Sequence, residues 1–239
     1  MKYFCVSDIH GHYDVLIASL KEKGWDPDNM GHKLIVIGDM VDRGPQNKEV
    51  LEFVCTLLKE NKAIFIMGNH DVFLLDFFKG IFNKTIFNFK YNGHKKTIDQ
   101  LLGYKVPNDS NFKEEQKELI DKYPHIYEML NSAPYYYEIG KYIFVHGAVN
   151  SSLEDWRNDT TRNMTWNNQA KMSPVEGKTV VCGHKQNVYL RAPNNYKEYL
   201  KHPSTFPNMF NILYLKGSIH IDGSVMATKN INVLVLDIK

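Results

Sequence analysis

Six residues of metal-ligating type stand where short apolar runs end: Asp8, His10, Asp39, Asn69, His146 and His184. Glycine is close to each, as in Asp8-Ile9-His10-Gly11, Gly38-Asp39, Gly68-Asn69, His146-Gly147 and Gly183-His184. The carboxyl ends of strands are where α/β sheets bind ligands. On a strand, residues two apart share a side, so Asp8 and His10 converge on one point. That pair alone is also what a polar strand end looks like. A single histidine such as His146 or His184 is most often a hydrogen-bonded structural residue, and a single Asn69 a helix cap. All six together, offering nitrogen and oxygen donors and no thiolate, fit two adjacent divalent cations. Such a pair needs about four ligands per ion and a shared group holding the ions roughly 3.5–4 Å apart. Asp39, whose carboxylate has two oxygens, is the natural bridge. Asp8 and His10 then complete one ion, and Asn69, His146 and His184 the other.

The elements that must hold these residues follow from periodicity. Tyr3 to Val6 reads as a strand, followed by an amphipathic helix over 13–23. Lys33 to Ile37 is a second strand. Pro45 then suits the first turn of a helix whose buried stripe is Val50, Leu51, Val54, Leu57 and Leu58. Ala63 to Met67 is a third strand, leading into an apolar helix that ends near Lys79. This βαβαβα order predicts parallel pairing with right-handed crossovers. Strand character returns at Tyr142 to Val145, Thr179 to Val181 and Ile231 to Leu236. The chain reads as one α/β domain over 1–239, with no repeat and no linker. Residues 80–131 are expected to form a helical cap over the active face. The 188–211 insertion carries Tyr189, Tyr196, Tyr199 and Phe206, either as part of a substrate wall or as a surface lobe with its own apolar cluster.

Composition narrows the setting. A net charge of +2 argues against a nucleic-acid or membrane surface. Cys5, Cys55 and Cys182 are too few and too scattered for a disulfide framework, and read as buried thiols in a reducing compartment. The first residues lack the pattern of a signal peptide, and no apolar run approaches bilayer length. A cytoplasmic location is expected.

Asp8-Ile9-His10-Gly11, Gly38-Asp39-Met40-Val41-Asp42-Arg43-Gly44 and Gly68-Asn69-His70-Asp71, in that order, resemble the metallophosphoesterase signature. More narrowly, the chain is similar to PPP-type serine/threonine phosphatases in their small bacterial and phage form. His146-Gly147, Gly183-His184 and Ile221-Asp222-Gly223 match the family's later blocks, and Asn92-Gly93 with Thr97 resembles an intervening one. The resemblance implies a β-sandwich core flanked by helices, and the same six metal ligands with Asp39 bridging. It further implies His70 as general acid, Asp42 as its partner and Arg43 as a bidentate phosphate ligand. Chemistry agrees, because a poor leaving oxygen needs a proton and a carboxylate fixes the imidazole tautomer that supplies it. In-line attack by a water between the ions would leave no phosphoenzyme. Two Mn²⁺ ions are expected from the bacterial relatives, and Fe²⁺ or Zn²⁺ also suits these donors. The first expected substrate is a phosphoserine or phosphothreonine monoester in a phosphorylated protein or peptide. The alternative is a dinucleoside polyphosphate of the diadenosine tetraphosphate type on the same frame.

Three positions depart from the family pattern. Trp166-Asn167-Asn168 stands where Trp-x-Arg is common, so Arg162 or Arg157 is the candidate replacement for the missing phosphate arginine. Met67 stands where eukaryotic relatives carry arginine, and Lys185 where threonine is usual. These changes bear on phosphate recognition rather than on metal binding. Asp222 reads as a residue that orients a neighbouring ligand. His12, His94 and His220 lie near motifs, yet the ligand count needs none of them.

Overall fold

The computed structural model describes residues 1–238. In β1 (Lys2–Val6), Phe4 and Val6 face one way and Tyr3 and Cys5 the other, and all four are buried. Strands apolar on both sides need cover on both. The first α/β units run through α1 (Tyr13–Glu22), β2 (His32–Ile37), α2 (Asn47–Lys59) and β3 (Ala63–Ile66). Five helices follow: α3 (Asn69–Phe78), α4 (Phe82–Tyr91), α5 (His94–Leu102), α6 (Lys113–Lys122) and α7 (Pro124–Ser132). The second half contains β4 (Tyr136–Ile139), β5 (Tyr142–Val145), α8 (Thr161–Trp166) and β6 (Thr179–Cys182). Then come α9 (Asn187–Arg191), α10 (Tyr196–Lys201), β7 (Leu213–Leu215), β8 (Ser218–His220), α11 (Val225–Thr228) and β9 (Leu234–Asp237).

One sheet has the order β3-β2-β1-β9, parallel except for β9. The other has the order β4-β5-β6-β8-β7, with β5, β6 and β8 parallel. Tyr3, Cys5, Ile35 and Ile37 of the first sheet pack against Phe144, Val181 and Ile219 of the second. On the outer face of the first sheet, Phe4, Val6, Leu34 and Val36 lie under Leu16, Leu20, Val54 and Phe77 of α1, α2 and α3. On the outer face of the second, Ile143, Val145 and Val180 lie under Trp156 and Met164. The result is the helix-flanked sandwich that the family resemblance implies. Among the described residues no helix is long and apolar enough to cross a membrane.

Residues 80–131 are helical as expected, and much of their apolar surface packs on the domain core. Phe89, Ile98, Leu101, Phe112, Leu119 and Ile126 join the same cluster as α2 and α3. Phe112 meets Phe77 at 5.6 Å and Phe89 at 4.8 Å between ring centroids. An apolar stripe this wide is stabilised by burial against the domain core rather than by lying over a wet cleft. These helices thicken one flank, and among the described residues of this span only Asn92 lines the cavity beyond the strand ends.

Candidate active site

β1 ends at Val6, so Asp8 and His10 lie in the loop beyond it. Both take left-handed backbone, with φ of 51° and 45°, in place of strand pleating, and both line one cavity. Asp39, Asp42, Arg43 and His184 share this conformation at 55°, 75°, 68° and 61°. Such strain costs on the order of 1–3 kcal/mol per residue and persists only where neighbours enforce it. Here two loops clasp each other. Asp8 N donates to Gly38 O at 3.1 Å, His10 N to Asp39 O at 3.0 Å and Gly11 N to Met40 O at 2.8 Å. Gly44 is required at this seam, because a Cβ there would lie 1.9 Å from the His10 carbonyl. Asp71, in the first turn of α3, accepts from Asp39 N, Met40 N and Gly68 N at 2.7, 3.0 and 2.9 Å.

Asp39 sits between two sets of imidazoles. Its Oδ2 is 3.8 Å from His10 Nε2, and its Oδ1 is 3.4 Å from His146 Nε2. Single ligand atoms of His10, Asp39 and His70 all lie within 4.8 Å of one another, as do those of Asp39, His146 and His184. Asn69 Oδ1 is 3.2 Å from His146 Nε2. Asp8 stands beside the second group, its Oδ2 accepting from His184 N at 3.1 Å. Carbonyls fix the tautomers. Val41 O receives His10 Nδ1–H at 2.9 Å and Ile37 O receives His146 Nδ1–H at 2.8 Å, leaving Nε2 of each facing inward. The Trp166 carbonyl takes a bond from the His184 ring, whose buried Nε2 has no partner.

Electrostatics sharpen this picture. Burial pushes Asp8 up to about 6 and Asp71 up to about 7, with the Asp39 carboxylate adding to both shifts. Burial and then Asp8 raise Asp222 as well. Burial opposes ionisation of Asp39 too, yet His146 and His70 hold it well below the usual carboxylate range. Burial would lower His146, but Asp39 overturns this and lifts it to about 10. Four buried carboxylates around one point create a strong demand for positive charge.

Beside this floor, His70 Nδ1 meets Asp42 Oδ2 at 2.6 Å. Arg43 spans the two nearest imidazoles, donating from Nη1 to His10 Nε2 and from Nη2 to His70 Nε2, both at 2.9 Å. A cavity of about 500 Å³ opens above, with Asp8, His10, Asp39, Asn69, His70 and His184 on its floor. Trp166, Tyr189 and Tyr196 wall it, alongside Lys185 and Asp222. Tyr189 and Tyr196 meet edge to face at 5.2 Å. Tyr199 pairs instead with Phe206 at 5.0 Å, away from that lining.

The arginines considered as phosphate ligands are not in this cavity. Arg162 lines a separate cleft with Asp159 and Asn163, on the other side of Trp166. Arg157 lies over the Trp156 ring at 4.7 Å and pairs with Glu138 at 2.5 Å and Asp155 at 3.1 Å. Asn168, where an arginine is usual, is buried and caps the short turn at Gln169 through a bond from Ala170 N. Arg43 and Lys185 are the cations that line the cavity. His94, which the ligand count left out, reaches Asp42 Oδ1 at 3.1 Å. Its position between Asn92-Gly93 and Thr97 was the available signal.

The chain resembles known proteins both in sequence and in fold. The chain is 38% identical over 86 residues to the asymmetrical bis(5'-nucleosyl)-tetraphosphatase PrpE of Anoxybacillus flavithermus, a span of 34% of this chain and 35% of that one. It is 41% identical over 81 residues to the symmetrical bis(5'-nucleosyl)-tetraphosphatase of Salmonella paratyphi B, or 34% and 27% of the two chains. These matches therefore span 35% and 27% of the two relatives' lengths. A cold-active protein-tyrosine phosphatase of a Shewanella species shares the fold at a TM-score of 0.56 and 19% identity, covering 99% of this chain and 75% of that one. So does a serine/threonine phosphatase of Saccharomyces cerevisiae, at 0.54 and 16%, covering 79% and 62%. The calcineurin-like phosphoesterase profile matches residues 1–206, and with most of its length inside that match the chain belongs to the calcineurin-like phosphoesterase family.

Proposed function

We propose that the chain is a two-cation hydrolase acting on dinucleoside polyphosphates of the diadenosine tetraphosphate type. The donor set fits divalent ions: inward Nε2 atoms with Nδ1 tied to carbonyls, an unpartnered His184 Nε2, and crowded buried carboxylates. Asp8, His10 and Asp39 would hold one ion, and Asp39, Asn69, His146 and His184 the other. Mn²⁺ is the ion proposed, and these donors also accept Fe²⁺ or Zn²⁺. When bound, such ions supply Lewis acidity and a water acidified toward neutral pH.

The chain's own groups do the rest. Arg43 binds phosphate oxygens with its two-pronged guanidinium and stabilises their growing charge. Turning Arg43 to the phosphate frees His70 Nε2 to hold the proton that the leaving oxygen takes. Asp42 keeps the His70 ring in the tautomer and orientation this needs. Trp166, Tyr189 and Tyr196 offer faces to nucleobases, contacts worth roughly 1–3 kcal/mol per base.

The observation that carries this reading is an aromatic wall joined to a cation-demanding floor in one cavity of about 500 Å³. The tetraphosphatase relatives support it. A second reading, a phosphoserine/phosphothreonine protein phosphatase, draws support from the His70–Asp42 pair, since an alkoxide leaving group depends most on a proton donor. Metal-free protein loaded with Mn²⁺ should be offered diadenosine tetraphosphate, a phosphoserine peptide, a phosphotyrosine peptide and p-nitrophenyl phosphate. Faster release of nucleotides from the dinucleotide, followed by chromatography, is the expected result. Faster phosphate release from the phosphoserine peptide would replace the dinucleotide reading with the second one.

A further inference from the structure

We propose that His94 is a positioning residue for the general acid, acting on His70 through Asp42. The Asp42 carboxylate is wholly buried, and its two oxygens are divided between two imidazoles. Oδ2 takes the His70 Nδ1–H at 2.6 Å, while Oδ1 takes the His94 Nδ1–H at 3.1 Å and the Thr97 hydroxyl at 2.5 Å. The Asp42 N–H in turn donates to Thr97 Oγ1 at 3.0 Å. Both extra partners belong to the first turn of α5, whose N-terminal dipole favours the anion. Gly93, at φ 87°, turns the chain into that helix where a Cβ would lie 2.7 Å from Arg43 N.

A carboxylate held on one oxygen alone swings about its last torsion, and a ring hydrogen-bonded to it swings too. His94 and Thr97 remove that freedom and aim His70 Nε2 at the cavity floor. His94 is itself fully buried, its ring is 5.9 Å from that of Phe77, and its Nε2 has no partner. An apolar side chain would avoid that unpaired nitrogen, so core packing alone does not call for a histidine here. With Nδ1 on Asp42 and Nε2 without a partner, what His94 contributes is that one hydrogen bond.

The inference rests on the phosphohydrolase reading, in which water oxygen bonds to phosphorus as the bond to the leaving oxygen breaks. The leaving oxygen takes the proton from His70 Nε2. Its test is a leaving-group comparison on the Mn²⁺-loaded enzyme, using phenyl phosphate and p-nitrophenyl phosphate. Where the wild-type enzyme requires a nucleotide, the corresponding aryl esters of thymidine 5'-monophosphate replace them. The phenyl-to-nitrophenyl rate ratio within one preparation does not depend on how much of it is folded. His70→Asn should lower that ratio strongly, because phenolate leaves poorly without a proton. His94→Phe should lower it roughly tenfold, as loss of an orienting partner commonly does. His94→Asn, whose amide nitrogen stands near the position of Nδ1, should restore most of it. A His94→Phe ratio equal to wild type beside a lowered His70→Asn ratio would overturn the role of His94 alone. An unchanged ratio in His70→Asn would overturn the acid assignment beneath it. Failure of His94→Asn to recover the ratio would exclude the hydrogen bond as the basis.

Discussion

Arg43 and a cation compete for one lone pair. His10 Nδ1 is committed to the Val41 carbonyl, and its Nε2 accepts from the guanidinium at 2.9 Å. A ring nitrogen accepting that bond has nothing left for an ion, so cation uptake at His10 requires Arg43 to leave. Arg43→Ala should therefore bind Mn²⁺ at least as tightly as wild type by calorimetric titration, while KM for a phosphate substrate rises roughly tenfold or more. Weaker Mn²⁺ binding in this variant would contradict the competition. His70 and Asp39 are separable in the same way. His70→Asn should lower turnover by roughly 10²–10³ with metal content near wild type, because only the acid is removed. Asp39→Asn should lose metal as well as turnover. Equal metal loss in both would make His70 a ligand, a role its place within 4.8 Å of His10 and Asp39 also allows. At this scale the residue types were legible in the sequence and the backbone was not. Nothing in Asp8-Ile9-His10 announces two left-handed residues, because the loop of Asp39 and Met40 imposes them from elsewhere in the chain.

Elements show where local pattern stops short. Helical spacing within 80–131 was legible only from Phe112 to Leu130, since Phe and Lys alternate irregularly before it, and an apolar stripe names no partner. Whether it covers a cleft or a flank depends on long-range contacts such as Phe112 on Phe77. β8 was legible as a strand through Ile219 and His220, but its partners in the sheet were not. Its three residues carry Ser218 and His220, which look polar until β6 and β7 close on either side. There His220 Nδ1 lies 3.3 Å from Cys182 Sγ, and Nε2 lies 3.1 Å from Ser218 Oγ. Burial lowers its pKa from 6.5 to about 4. The unfolded chain thus takes up a proton below about pH 6.5 that the folded chain refuses until about pH 4. Stability from this group is complete above 6.5 and declines as pH falls, by about 2 kcal/mol between pH 7 and pH 5. Urea unfolding at those two pH values should show a loss in wild type that exceeds the loss in His220→Leu by about that amount. Equal losses would mean that His220 titrates alike in both states.

Across the whole molecule, the candidate centre is a seam between two sheets. Asp8, His10, Asp39 and Asn69 follow β1, β2 and β3 of one sheet, whereas His146 and His184 follow β5 and β6 of the other. The apolar interface between the sheets is continuous, but at this end it gives way to carboxylates that repel one another. Without cations, these buried carboxylates oppose closure of the seam at this end. Ions bound there would neutralise the acids and couple the sheets, and a ligand that binds only the folded state stabilises the whole fold. At a free concentration of about 100 times Kd the gain is about 2.7 kcal/mol, and it keeps rising with the logarithm of concentration. Thermal unfolding of metal-free wild type should therefore shift upward with each addition of Mn²⁺. Asp39→Asn, having lost the carboxylate facing both groups of imidazoles, should start from its own midpoint and barely move. Arg43→Ala, which keeps every proposed ligand, should respond at least as strongly as wild type. A midpoint indifferent to Mn²⁺ in wild type would show that the seam closes without ions. An equal rise in Asp39→Asn would place the ions elsewhere than between the two sheets.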